Sequence, residues 1–232
     1  MIKTLFFDVF GTLVDWRTSL INNIKKRKII NEKNTFLEQF VINWRLEYQP
    51  ILNKVNKRKL SWMLLDDLHL ISLNKALKNM DINYLSEIKK KELVSYWHNL
   101  NPWKDVKKGL ISLNKNFMTA TLSNGNLLLQ RNLVKNANLE LNFLFSAENF
   151  KKYKPDLSVY LGAAETLKIK PSECALVASH KNDLKAASSA GFFTIFIKRE
   201  KEYGNYCYKF PNTNFSADVE IDSLEKLSKE LR

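Results

Sequence analysis

Ile2-Lys3-Thr4-Leu5-Phe6-Phe7-Asp8-Val9-Phe10-Gly11-Thr12-Leu13-Val14-Asp15 combines a buried strand, an acid at its end and a glycine turn. Ile2 to Phe7 has the length and apolar character of a short buried strand. The run stops at an acid, Asp8, and enters a turn in which Gly11 permits tight backbone approach. A carboxylate at the C-terminal end of a parallel strand lies where open α/β sheets bind ligands.

Working outward, residues 16–98 carry no strand pattern. Apolar residues recur there at helical spacing, at Phe36, Phe40, Val41 and Trp44, and again at Trp62, Leu65, Leu68, Leu73 and Leu77. Pro50 is expected to end or kink one of these helices. Beyond Asn101-Pro102 the pattern alternates. Strands are expected at Phe117–Leu122, Phe143–Ser146, Cys174–Ala178 and Thr194–Ile197. Helices are expected at Asn126–Asn136, at Pro155–Leu167 with Pro155 in its first turn, and at Asn182–Ala190, stopped by Gly191. Such alternation implies a parallel sheet with right-handed crossovers. The expected architecture is α/β: a Rossmann-like parallel-sheet core with helices on both faces, residues 1–15 and 99–232, and an inserted α-helical cap, residues 16–98. Asp8, Ser123-Asn124 and the stretch Ser179 to Asp183 all follow strand ends, and Lys154 precedes a helix. Four loops therefore converge on one edge of the sheet, which predicts a site there.

Composition narrows the classes of function. The 232 residues are 45% hydrophobic and 12% aromatic, enough for a sizeable core. The formal charge of +13, from 37 basic and 24 acidic side chains, raises the question of a polyanion partner. The basic runs, such as Lys25-Lys26-Arg27-Lys28 and Lys89-Lys90-Lys91, are short and scattered and make no stripe, so no nucleic-acid partner is expected. That positive field can still draw a small anion toward a cleft. Cys174 and Cys207 are far apart, and His69, His98 and His180 form no ligand pair. Asp8 interrupts the N-terminal apolar stretch, which spoils a signal peptide, and no apolar run reaches the ~18 residues of a membrane span. A cytoplasmic protein with no membrane association is expected.

Asp8-Val9-Phe10-Gly11-Thr12-Leu13-Val14-Asp15 with Ser123-Asn124-Gly125, Tyr153-Lys154-Pro155 and Asp183 resembles the haloacid dehalogenase superfamily, over essentially the whole chain. Asp15-Trp16-Arg17, Trp44-Arg45 with Glu47-Tyr48, and Tyr153-Lys154-Pro155-Asp156 with Val159-Tyr160 make it similar to the type II L-2-haloacid dehalogenases. The resemblance implies that Asp8 attacks the carbon bearing the halogen and forms an ester, which water then hydrolyses at the aspartate carboxyl carbon. A carboxylate is a weak nucleophile, but the ester splits one hard displacement into two easier steps. The implied substrate is a short 2-haloalkanoic acid, haloacetate or L-2-haloacid, and the product the inverted 2-hydroxy acid.

The resemblance also implies roles for other residues. Thr12 orients Asp8. Lys154 supplies fixed positive charge beside it, keeps it ionised and stabilises charge during ester hydrolysis. Arg45, from the cap, receives the departing halide, which a permanently charged guanidinium suits. Ser123 and Asn124 offer donors to the substrate carboxylate at a helix start, although a plain helix cap explains them equally. Asp183 sets Lys154 and the hydrolytic water. Tyr160 matches a tyrosine at the family site, and Ser179 a serine. Val9, Phe10, Trp62 and Asn182 are expected to contact substrate; for Trp62, packing within the cap is the competing reading.

Two departures stand in the fourth motif. Ala178 replaces a serine and His180 an asparagine of the better-studied pattern. His180 can replace the amide's hydrogen bond or act as a base, since imidazole titrates near neutrality. Phe10 separates the chain from the phosphatases of the superfamily, which place a second aspartate there to protonate a leaving alcohol. Phenylalanine cannot do so, and a halide needs no proton. The alternatives are a defluorinating haloacetate dehalogenase, a magnesium-dependent phosphatase, with Asp8 and Asp183 as candidate carboxylate ligands, and a non-enzymatic anion or nucleic-acid binder. No cofactor and no metal are expected. A homodimer through the cap is a further possibility, since the cap region carries Trp44, Trp62 and Trp97.

Overall fold

The apolar run after Met1 forms the central strand of a sheet. In the computed structural model, which describes residues 1–206 and 214–231, β1 is Thr4–Phe7 and β2 is Val14–Asp15. Then come α1 (Trp16–Arg27), α2 (Asn34–Asn56), α3 (Leu65–Asn79) and α4 (Glu87–Ser95), with no strand between them. After β3 (Asn101–Pro102) the chain alternates through α5 (Val106–Leu113), β4 (Met118–Ser123), α6 (Leu127–Ala137), β5 (Phe143–Ser146), the short α7 (Ala147–Phe150) and α8 (Leu157–Thr166). It closes with β6 (Cys174–Ala178), α9 (Lys181–Ser189), β7 (Phe193–Ile197), β8 (Val219–Ile221) and α10 (Leu224–Glu230). Cys207 of the sequence lies outside the described residues.

The strands pair in parallel in the order β5-β4-β1-β6-β7-β8. β1 is buried along its whole length because both faces are covered. Leu5 and Phe7 pack to one side with Ala175 and Val177. Phe6 packs to the other with Ala120, Leu122 and Leu176. This two-sided burial is why the strand reads as a continuous apolar run rather than an alternating one. The chain leaves β1 to both sides of the sheet, so its C-terminal end opens on the crevice where α/β sheets take ligands.

The four helices of residues 16–95 pack on one another and share one apolar core with a face of the sheet. Their entrance and exit strands are zipped together: β2 and β3 pair antiparallel, Val14 opposite Pro102 and Asp15 opposite Asn101. Asp15 caps α1 by accepting the Thr18 N–H. Trp103 ties this junction to the first turn, donating its Nε1–H to the Gly11 carbonyl at 2.9 Å and its backbone N–H to Leu13 at 3.1 Å. Trp44 and Trp97 are fully buried, and Trp62 is half-buried against Tyr153, so these tryptophans face inward. Among the described residues no helix is long and apolar enough to cross a membrane.

Three expectations change. α2 runs through Pro50 to Asn56. Pro50 is exposed, and the buried Tyr48, Ile51, Leu52 and Val55 pack the helix on either side of it, so the helix does not end there. Pro155 stands before α8 rather than in its first turn. Asp156 is the cap, its side chain accepting the Ser158 N–H. β8 and α10 add a sixth strand and a helix that packs on α5, beyond the elements read from sequence.

Candidate active site

Asp8 is the first residue past β1, its N–H held by the Val177 carbonyl of β6 at 3.0 Å. Gly11, at φ +86, reverses the chain so that the Thr12 hydroxyl donates back to Asp8 Oδ2 at 2.8 Å. That spends the Thr12 proton. Thr12 Oγ1 in turn accepts the Ser179 N–H at 2.9 Å and lies 3.1 Å from the Ser179 hydroxyl. Motif one and the end of β6 are thereby fastened together on the nucleophile side.

Lys154 completes the other side. Its Nζ lies 3.0 Å from Asp8 Oδ1 and 2.5 Å from Asp183 Oδ2. Tyr160 stands behind, donating its hydroxyl proton to Asp183 Oδ1 at 2.5 Å. Asp8, Lys154 and Asp183 are only 7%, 5% and 8% exposed. Burial alone raises a carboxyl pKa, but Lys154, His180 and Thr12 overcome it and hold Asp8 well below the usual carboxylate range. Lys154 is itself raised: burial opposes its charge, and Asp183 and Asp8 more than restore it. Two carboxylates share one ammonium, and the cost falls on Asp183, which burial and the Asp8 charge push up despite Lys154 and Tyr160.

His180 bridges two acids. Its Nδ1 lies 3.2 Å from Asp8 Oδ2 and its Nε2 3.1 Å from Glu202 Oε1. Burial favours the neutral imidazole, but Glu202 and Asp8 reverse that and push its pKa to about 10. Both ring nitrogens then donate. Glu202 is 3% exposed, accepts the Trp16 Nε1–H at 2.9 Å, and lies directly over Gly11, where a side chain at residue 11 would collide with it. Sequence reading missed Glu202. It sits in a charged run after β7, which reads as solvated surface, although that run follows a strand end on the same sheet edge.

Across the cleft, α2 supplies Arg45. Its guanidinium lies 4.5 Å over the Tyr48 ring and 5.6 Å over Trp16. Its Nε is buried with no hydrogen-bond partner among the described residues. Burial works against its charge, and the surrounding Tyr203, Tyr48, Glu202 and Asp8 outweigh that, so its pKa rises. Asp8, Phe10, Arg45, Tyr48, Lys154 and His180 line one cleft. Asn124 and Asn182 also line it, as does Ser179.

Other sequence-predicted contacts fall elsewhere. Val9 is buried in the apolar core and does not line the cleft. Ser123 ends β4 fully buried, its hydroxyl accepting the Gly125 N–H at 3.0 Å, so it shapes the turn that presents Asn124. Trp62 stacks on Tyr153 at the edge of the helical insertion, away from Asp8, because its ring covers that tyrosine instead. Tyr160 acts on Asp183 from behind and does not line the cleft.

The residues do not fit a divalent cation. The Lys154 ammonium occupies the space between the Asp8 and Asp183 carboxylates, and the other Asp183 oxygen is taken by Tyr160. Among the described residues no group of three His, Cys, Asp or Glu side chains clusters to hold a metal.

Residues 2–191 match the haloacid dehalogenase-like hydrolase family. The chain belongs to it. A relative within this family, (S)-2-haloacid dehalogenase 1 of Pseudomonas sp. (strain CBS-3), is 29% identical over 96% of each chain. A solved L-2-haloacid dehalogenase aligns over the whole of both chains with 34% identity and a TM-score of 0.91. A defluorinating L-2-haloacid dehalogenase aligns over all of this chain and 95% of its own, with 31% identity and a TM-score of 0.92. Within the haloacid dehalogenase-like hydrolases the chain thus resembles the L-2-haloacid dehalogenases, as its motifs imply.

Proposed function

We propose that the protein hydrolyses the carbon–halogen bond of short 2-haloalkanoic acids, haloacetate or L-2-haloacid, through an ester on Asp8. The observation that carries this reading is Arg45 facing an ionised Asp8 across a cleft whose wall beside the nucleophile is Phe10. Such a site has an anionic nucleophile and a buried cation able to take a departing anion, and Phe10 brings it no proton donor. In the first step that combination suits a halide, which departs without a proton.

In the first step an Asp8 oxygen attacks the carbon, the carbon–halogen bond breaks, and the halide leaves toward Arg45. Asn124, in the turn before α6 and held on the Lys154 backbone, is the residue that would meet the substrate carboxylate. In the second step water attacks the Asp8 carboxyl carbon. Lys154 steadies the negative charge that builds on the carboxyl oxygen, and the carbon–oxygen bond to the former acid breaks, giving the 2-hydroxy acid. Esterification removes the Asp8 charge from beside His180 and leaves Glu202 as the charge that still holds the imidazole proton, so the ring binds that proton less firmly, and its loss to solvent precedes base catalysis. The neutral ring, oriented by Glu202, then takes a proton from the attacking water and returns it to the departing 2-oxygen as the acyl carbon–oxygen bond breaks, so that the acid leaves as its 2-hydroxy form.

Halide release from L-2-chloropropanoate and monochloroacetate tests this reading, with Asp8→Asn as the inactive control. Absence of release from both by folded protein sinks it. Fluoroacetate belongs in the same panel because a 31%-identical relative is a defluorinating enzyme.

A further inference from the structure

The helical insertion reaches the catalytic lysine by a second route, independent of Arg45. α2 ends at Asn56, and its side-chain amide pairs with both backbone groups of Tyr153. Asn56 Nδ2 donates to the Tyr153 carbonyl at 2.8 Å, and Asn56 Oδ1 accepts the Tyr153 N–H at 3.1 Å. The next residue is Lys154. Its own N–H donates to Asn124 Oδ1 at 2.8 Å, from the core. Two asparagines, one from the insertion and one from the sheet edge, therefore grip consecutive residues of the turn that carries the ammonium.

The grip on Tyr153 extends to its side chain. The hydroxyl donates to the Met63 carbonyl at 2.6 Å, and the ring stacks on Trp62 with centroids 6.4 Å apart. Met63 and Trp62 both belong to the segment that follows α2. Tyr153 is thus bound on its backbone, its ring and its hydroxyl by the insertion, while Lys154 Nζ extends to Asp8 and Asp183.

We infer that Asn56 is a positioning residue that sets Lys154 against Asp8, so that the seating of the helical insertion and the charge beside the nucleophile are one variable. The inference rests on the proposed reaction for its kinetic consequence alone. α2 carries Arg45 as well. The helix that brings the halide-receiving cation over the cleft therefore fixes, one end to the other, the cation that readies the nucleophile. A misplacement of about 1 Å at a reacting group is enough to cost on the order of 100-fold in rate.

The test compares wild type, Asn56→Ala and Asn136→Ala across pH. Asn136 makes a different bond across the same junction, to the His98 carbonyl at 3.2 Å, and touches nothing near Lys154. Asn56→Ala is expected to lower kcat by roughly 10- to 100-fold. It is also expected to move the acid limb of kcat/KM upward, because withdrawing an opposite charge from Asp8 raises its carboxyl. Asn136→Ala should leave that limb where it is. If Asn56→Ala fails to fold, Asn56→Gln keeps the amide one methylene out of place and should shift the limb partway. Titration of the Asp8 carboxyl by 13C NMR reads the same shift without turnover. A wild type inactive on haloacids would refute the reaction and leave this readout standing. Equal acid limbs and equal Asp8 titrations in wild type and the folded Asn56 variant overturn the inference, as does a variant that raises KM alone.

Discussion

The two walls of the cleft hold their charges in opposite ways. On the sheet side the charges around the nucleophile are matched at close range: Lys154 between Asp8 and Asp183, His180 between Asp8 and Glu202. On the helical side Arg45 lies against the faces of Tyr48 and Trp16 and forms no ion pair among the described residues. An aromatic face steadies a cation without neutralising it. Chemistry is prepared on the sheet side and received on the helical side. Groups that must hold a fixed state before substrate arrives are paired, and the group that must answer a charge created during the reaction is left with capacity.

Loss of a charge on the sheet side should have the largest effect. Lys154→Ala leaves two buried carboxylates facing each other, and removing one partner of a buried pair typically costs about 3–5 kcal/mol. A fall of that size in urea-denaturation free energy is expected, along with loss of turnover. The helical side should respond in rate rather than stability. Arg45→Ala is expected to reduce kcat by about 100- to 1000-fold, the usual loss on removing one preorganised stabiliser of developing charge. Arg45→Lys should recover little, since an ammonium lacks the planar fork that lies on the rings. The deficit should be greater for chloro- than for bromo-substrates, because the poorer leaving group depends more on the cation.

A subtler change sharpens the division within the sheet side. Glu202→Gln keeps a hydrogen-bonding group but removes the charge behind His180. Ester hydrolysis should slow roughly tenfold or more, short of the ~100- to 10,000-fold that base catalysis contributes, because the amide still orients the imidazole. Mass spectrometry of the protein during turnover should then detect Asp8 carrying the acyl adduct. The smallest expected effect is on stability with pH. The folded His180 is raised from 6.5 to about 10, so its contribution is fully present below the unfolded value and lost as pH rises through the folded one. Thermal stability should decline between about pH 6.5 and 10 more steeply in wild type than in His180→Asn, as read by melting at each pH.

Much of this was legible in the chain. The run to Phe7, the acid after it and the later alternation specify a parallel sheet with its polar loops on one edge, and the local pattern suffices because strand ends and turns are local events. Asp8, Thr12, Lys154 and Asp183 come together as their motifs imply. What escaped was set by distance in sequence. Glu202 acquires its meaning only by folding back onto Gly11, Trp16 and His180, and nothing in Lys198-Arg199-Glu200-Lys201-Glu202 distinguishes it from surface charge. Applying the strand-end rule to β7 would have pointed to that loop. Trp62 went the other way: a tryptophan near a cleft invites a substrate role, yet its partner is Tyr153. Val219–Ile221 is too short to declare itself as a strand before its neighbour β7 is in place.

The junction at Trp103 has a mechanical meaning. The insertion enters and leaves through two paired strands, and the residue after the exit strand holds the carbonyls of Gly11 and Leu13. The insertion is therefore a tether with no slack at its anchor. A pull on it reaches, through Trp103, the loop that supports Asp8, and the nucleophile is one of the places where the core feels the helices move.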